Sequence, residues 1–143
     1  MNTYVIAELG VNHNGKIDLA KELIDAAVYA GADAVKFQLY STEQLVSNDT
    51  PLASYQMENV KKLVSQRQLL DNLLLTEFQF LELYDYSMQQ GVDFLCTPFD
   101  IDSLKFLVED LNLKKIKIAS PDITNSQLLF NLGRYNVDVI LST

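Results

Sequence analysis

Short runs of β-forming residues alternate with longer stretches of helical periodicity along the chain, and this alternation restricts the fold more than any single residue. Residues 4–9 (YVIAEL) read as a strand. Residues 17–30 read as a helix, with Leu19, Leu23, Ala26, Ala27 and Ala30 recurring at intervals of three and four. Asp18 is placed to cap it, and Gly31 stands where helices commonly end. A second strand follows at 34–39 (AVKFQL). Thr76 and Gln79, at capping-box spacing, open another helix whose apolar stripe is Phe80, Leu83, Tyr84 and Met88, and Gly91 closes it. Strand three is expected at 92–96, then a helix from an Asp100 cap to about residue 110, and strand four at 115–119. A weaker helix at 126–134 leads to strand five at 137–141. Strands separated by helices call for a parallel sheet with right-handed crossovers. Two architectures satisfy that pattern, a doubly wound sheet and a (β/α)8 barrel. A whole barrel takes about 250 residues, so a chain of 143 would hold an incomplete one. Residues 40–75 are far longer than an ordinary strand-to-helix connection, and 55–65 are expected to carry a short helix within them.

Strands covered on both faces by helices normally read as continuous apolar runs. Here they do not. In AVKFQL, Val35, Phe37 and Leu39 share one face, while Ala34, Lys36 and Gln38 share the other. Glu8 follows Ile6 onto one face of strand one, and Lys115 and Lys117 oppose Ile116 and Ile118 in strand four. An enclosed lysine without a partner loses several kcal/mol or its proton. Lys36 and Lys117 therefore point to an anion site at the C-terminal ends of the strands, the ligand-binding end of both architectures. A structural Lys–Glu pair is the plainer alternative, with Glu8 as counter-ion. Lys115 begins its strand and is expected to be a solvated end. Thr97, Ser120 and Ser142 follow strands three, four and five. Each alone reads as a turn or cap residue; their recurrence at one end of successive strands suits the binding of phosphate or carboxylate oxygens. His13, the one histidine, is expected to fix its loop by a hydrogen bond, and Cys96 to be a small core residue.

Eleven basic and nineteen acidic residues give a net charge of -8, which disfavours a nucleic-acid or anionic-membrane partner. One cysteine makes no internal disulfide. MNTYVIAELG lacks the basic and apolar regions of a signal peptide, and no apolar run approaches the ~20 residues of a membrane span, so a soluble cytoplasmic protein is expected. There is no Walker A motif, no GxGxxG and no clustered metal spacing.

The tracts AELGVNHNG, GADAVKFQ, FLCTPFD, KIKIASPDITN and VILST, in this order over residues 7–143, resemble the sialic acid synthase family, which includes N-acetylneuraminate, legionaminate and pseudaminate synthases. The resemblance implies that residues 1–143 are the N-terminal portion of an α/β TIM-barrel domain, holding about its first five strands. The rest of the barrel and a small antifreeze-like domain would lie beyond this chain. It implies a domain-swapped homodimer that condenses phosphoenolpyruvate with the open-chain aldehyde of an N-acetylated hexosamine, water attacking the pyruvyl C2 and phosphate leaving by C–O cleavage. It implies a divalent metal, Mn2+ or Mg2+, whose two histidine ligands lie in later strands. Carried over position by position, it assigns Lys36, Thr97, Lys117, Ser120 and Ser142 to phosphoenolpyruvate, Gln38 to the sugar, and Glu8 to the reacting centre. Where the family often reads Ser-Gly-Glu this chain has Ser120, Pro121 and Asp122, so Asp122 takes the glutamate's place with a shorter reach. Two other classes compete with a synthase fragment: a non-catalytic phosphosugar-binding or assembly module, and a Schiff-base aldolase built on Lys117. The piece alone is expected to be inactive.

Overall fold

The structure, a computed structural model, describes residues 3–45 and 66–143. Its strands are β1 (Ile6–Gly10), β2 (Ala34–Leu39), β3 (Asp93–Pro98), β4 (Lys115–Ile118) and β5 (Asp138–Leu141). Between them lie helices α1 (Ile17–Tyr29), α2 (Thr42–Leu45), α3 (Gln66–Asp71), α4 (Glu77–Gln89), α5 (Ile101–Lys105) and α6 (Ser126–Leu132). A π turn (Phe106–Asp110) prolongs α5, and a 3-10 turn (Ser120–Thr124) follows β4. β1, β2 and β3 form a parallel sheet in chain order, β4 and β5 form a parallel pair, and β4 lies beside β3. The expected α/β fold with parallel strands is therefore present. The helix expected at 55–65 lies outside the described residues.

Register decides what shares a face. Glu8 pairs with Lys36, Lys36 with Leu95, and Gln38 with Thr97. Residues opposed in a parallel ladder point to the same side, so these five line one face of the first sheet. Lys117, opposite Ile140, occupies the alternate face from Ile116 and Ile118 in the second. The opposite face of the first sheet is the core. Val35, Phe37, Leu39, Phe94 and Cys96 bury themselves with Ala20, Ile24 and Ala27 of α1 and Phe80 and Leu83 of α4. Phe37 stacks on Phe94 at 5.3 Å between ring centroids and meets Phe80 edge-on at 6.3 Å. Burial of a ring of this kind contributes about 2–3 kcal/mol relative to exposure.

Several boundaries differ from the expectations, each for a local reason. Strand one starts at Ile6, because Tyr4 turns its hydroxyl to Asp93 and the Val5 amide is taken by Asp33 at 2.7 Å. In α1 Ala27 is buried as expected, but it packs with Ala20 and Ile24, one position on from Leu19 and Leu23, and Ala26 and Ala30 are exposed. Asp18 does not cap this helix. Lys16 holds the cap position without a side-chain bond, and Asp18 stands in the first turn, where its charge favours the helix dipole. Met88 is exposed in α4, and its place on the buried face is taken by Ser87, whose hydroxyl donates to the Leu83 carbonyl at 2.8 Å. Strand three runs to Pro98, two residues past its expected end, and α6 stops at Leu132. The stretch expected as one helix from 101 to 110 widens at Phe106, where the Leu111 amide bonds the Phe106 carbonyl across five residues at 3.0 Å. The wider turn carries Leu107, Leu111 and Leu113 into the core.

The Thr76–Gln79 capping box forms on both sides, Gln79 N donating to Thr76 Oγ1 at 3.2 Å and Thr76 N to Gln79 Oε1 at 2.9 Å. Asp100 does more than its expected capping. Oδ1 accepts from Ser103 N at 2.7 Å, while Oδ2 accepts from Ser103 Oγ at 2.8 Å and from Ser41 N at 2.7 Å. One carboxylate thus starts α5 and ties the chain leaving β2 to the chain leaving β3.

Candidate functional site

The polar face of the strands gathers most of the residues singled out from the sequence. Lys36 is ion-paired with Glu8 on the neighbouring strand; its side chain is 13% exposed against 49% for the carboxylate, so the ammonium is enclosed and the acid remains reachable. The Lys36 pKa is lowered, first by burial and then by the positive charge of Lys117. The two lysines stand on different sheets. Lys117 is lowered too, by burial, and donates to the Ile118 carbonyl at 2.7 Å and to Ser142 Oγ. Ser142 is held in turn by its amide, which donates to the Ile118 carbonyl at 3.1 Å. Both cations thus carry a desolvation penalty on the polar face, and Lys36 meets it in part through its ion pair with Glu8.

Gln38 and Thr97 sit one step further toward the strand ends. Thr97 Oγ1 is buried and has no hydrogen-bond partner among the described residues, an arrangement that leaves a donor and acceptor for a ligand to use. Gly10 ends β1 in the left-handed region at φ +46°, after a register irregularity between Glu8 and Gly10. A Cβ there would come 3.2 Å from Glu8 Oε1 and 3.4 Å from Gln38 Nε2. A side chain at position 10 would crowd both the acid of β1 and the amide of β2. Ser120 is exposed at the start of the 3-10 turn. Asp122, two residues on, is buried, and its Oδ1 accepts from Asn125 Nδ2 at 3.1 Å. No hydrogen bond or ion pair among the described residues joins Asp122 to either lysine.

The remaining candidates fall into structural roles. His13 is buried beside Phe37 at 6.0 Å between ring centroids, and its Nδ1 accepts from the Gly15 amide at 3.1 Å, fixing the β1–α1 loop as expected. Burial lowers its pKa, which disfavours the charged imidazolium. Cys96 is fully enclosed, and burial pushes its thiol up. Lys115 is less solvated than a strand end should be, because its ammonium lies 4.9 Å from the centre of the Tyr4 ring. Among the described residues no group of three or more His, Cys, Asp or Glu side chains is arranged to hold a metal ion. These residues do not by themselves fit one. Asn125 was not singled out from the sequence, although an asparagine directly before a helical run is a capping signal.

The NeuB family pattern matches residues 23–143. The chain belongs to the NeuB family. It is 40% identical over 143 residues to an N,N'-diacetyllegionaminic acid synthase from Legionella pneumophila, covering 100% of this chain and 40% of that protein. A synthase of the same name from Campylobacter jejuni is 40% identical over 141 residues, covering 99% of this chain and 42% of its own length. Among solved structures, a sialic acid synthetase from Leptospira borgpetersenii, crystallised with citrate, superposes with a TM-score of 0.82 at 32% identity over 99% of this chain and 44% of that one. The chain thus spans about two fifths of the length of the curated relatives it matches. No described helix is long and apolar enough to cross a membrane.

Proposed function

We propose that this chain supplies the phosphoenolpyruvate-binding part of a nonulosonic acid synthase built on a (β/α)8 barrel. The protein would condense phosphoenolpyruvate with the aldehyde of an N-acetylated hexosamine and release phosphate. The observation that carries the reading is the presence on the polar face of the enclosed Lys36 and the half-buried Lys117, whose Nζ donates to Ser142 Oγ, each with its pKa lowered by burial and Lys36 also by its fellow cation. A phosphate and a carboxylate entering together relieve both penalties. The hydroxyls of Thr97, Ser120 and Ser142 orient the anion, and Gln38 faces the sugar. Glu8, paired with Lys36 yet half-exposed, would give a proton to the aldehyde oxygen as the C–C bond forms or take one from the water that attacks C2. Asp122 supplies the second carboxylate. In the whole protein a divalent metal, Mn2+ or Mg2+, would polarise the aldehyde; its ligands would come from outside this chain. A cytoplasmic homodimer is the assembly proposed for the whole protein.

The test is a hybrid in which this chain replaces the matching residues of the Legionella pneumophila relative. Phosphate release from phosphoenolpyruvate in the presence of an N-acetylated hexosamine, and its loss by at least a hundredfold in K36M or K117M, is the expected result. A folded hybrid that binds phosphoenolpyruvate without turning it over would favour a binding module. A second reading draws on Lys117 itself, since a lysine lowered by burial is what a Schiff-base aldolase needs. Borohydride with a ketone substrate would trap such an enzyme and leave a synthase unmodified.

A further inference from the structure

Asp122 is held from three directions within its own turn. Its amide donates to the Ala119 carbonyl at 3.0 Å, its carbonyl accepts from the Asn125 amide at 3.0 Å, and its Oδ1 accepts from Asn125 Nδ2 at 3.1 Å. Its second carboxylate oxygen, Oδ2, is buried without a partner among the described residues. A buried acceptor left open is unfavourable in the empty protein, and the penalty disappears when a donor arrives. The other half of Asn125 is equally committed. Its Oδ1 accepts from the Leu128 amide at 3.2 Å and caps α6.

Capping alone does not select asparagine, because Asp and Ser cap helices as well. Among the favoured capping residues only asparagine offers, from one planar group, an acceptor for the helix amide and an N–H donor for a carboxylate. The residue also stands at the right end of the strands. Gln44 of α2, Phe99 after β3 and Asn125 after β4 line one cleft of about 200 Å3, where the chain leaves three successive strands.

We infer that Asn125 is a positioning residue that grips one oxygen of Asp122 and leaves the other free for a hydroxyl or amide N–H of the carbohydrate substrate. The inference rests on the reading of Asp122 as a site residue of a synthase. Its geometric half, that Asn125 holds Asp122, stands apart from any reaction.

Two measurements separate these halves. In the hybrid described above, N125S keeps a capping oxygen and loses the amide N–H that reaches Asp122, whereas N125A loses both. The expected result is a urea midpoint near native for N125S, with kcat at least tenfold lower and the KM for phosphoenolpyruvate changed by less than threefold. Native kcat in N125S would overturn the inference, because a purely capping role is retained there. In the 143-residue chain itself, solvent exchange of the Asn125 side-chain amide is followed by NMR beside the Leu128 backbone amide. D122A should speed the first at least tenfold and leave the second unchanged; equal exchange in both proteins would overturn the proposal without reference to activity. A hybrid with native Asn125 that releases no phosphate would instead count against the synthase reading, and the exchange measurement would still decide whether Asn125 holds Asp122.

Discussion

A threonine hydroxyl buried without a partner is a small liability in an empty protein, and Thr97 has one at the strand end beside Gln38. Exchange for the near-isosteric valine removes that liability. T97V should therefore leave the empty chain as stable as native or about 1–2 kcal/mol more stable, while weakening phosphoenolpyruvate binding about tenfold. Chemical denaturation and calorimetry check the two halves, and a loss of both stability and binding would make Thr97 a structural residue. The lysines carry a pH signature whose sign is fixed. Lys36 and Lys117 have pKa values below the ordinary lysine value of 10.5. Their charged forms are penalised in the folded chain, and the penalty is relieved as pH rises through the window between the lowered values and the ordinary one. The empty chain therefore gains stability across that window, and an anion that needs both charges loses affinity there. A bound phosphate is already dianionic above about pH 7, so the loss belongs to the protein. Calorimetric titration from pH 7 to 10 should record falling affinity before ordinary lysines titrate; a flat profile would contradict it. The polar residues interrupting β1, β2 and β4 were legible in the sequence because side-chain alternation assigns their face. The Glu8–Lys36 pair was legible only as an alternative, since it depends on the register between two strands.

At the scale of elements, strong local signals survived and weak ones moved. Thr76 with Gln79 formed its capping box because both bonds lie within one turn and need no tertiary partner. T76A should cost about 1 kcal/mol. D100A should cost about 2–4 kcal/mol, because the buried Asp100 carboxylate satisfies Ser41 N, Ser103 N and Ser103 Oγ together. Equal urea midpoints for the two variants would show that the link from β2 to β3 contributes little. The sequence could not reveal that link, since Ser41 and Asp100 stand 59 residues apart. Helix phase in α1 shifted by one position because alanines are small enough to lie on either face, and the bulkier Ile24 determined which face packed. The π turn at Phe106 left no local mark either. It follows from the need to bring Leu107, Leu111 and Leu113 under one sheet.

Among the described residues the three-stranded sheet gives one side to packing and the other to polar side chains. Strand β5 still exposes apolar side chains, Val139 and Leu141, with Phe130 exposed on the preceding helix. Lys36 and Lys117, the lysines proposed to bind the anion, lie inside the described residues, and among those residues no group of three or more His, Cys, Asp or Glu side chains is arranged to hold a metal ion. The isolated 143-residue chain should consequently release no phosphate from phosphoenolpyruvate and N-acetylmannosamine with manganese; measurable turnover would contradict this division of labour. The most direct test of the central claim is calorimetric binding of phosphoenolpyruvate to this chain, native and with Lys36 or Lys117 exchanged for methionine. Saturable one-to-one binding that falls at least tenfold in each folded variant is the expected result, and equal binding in all three proteins, or none by the folded native chain, would contradict it.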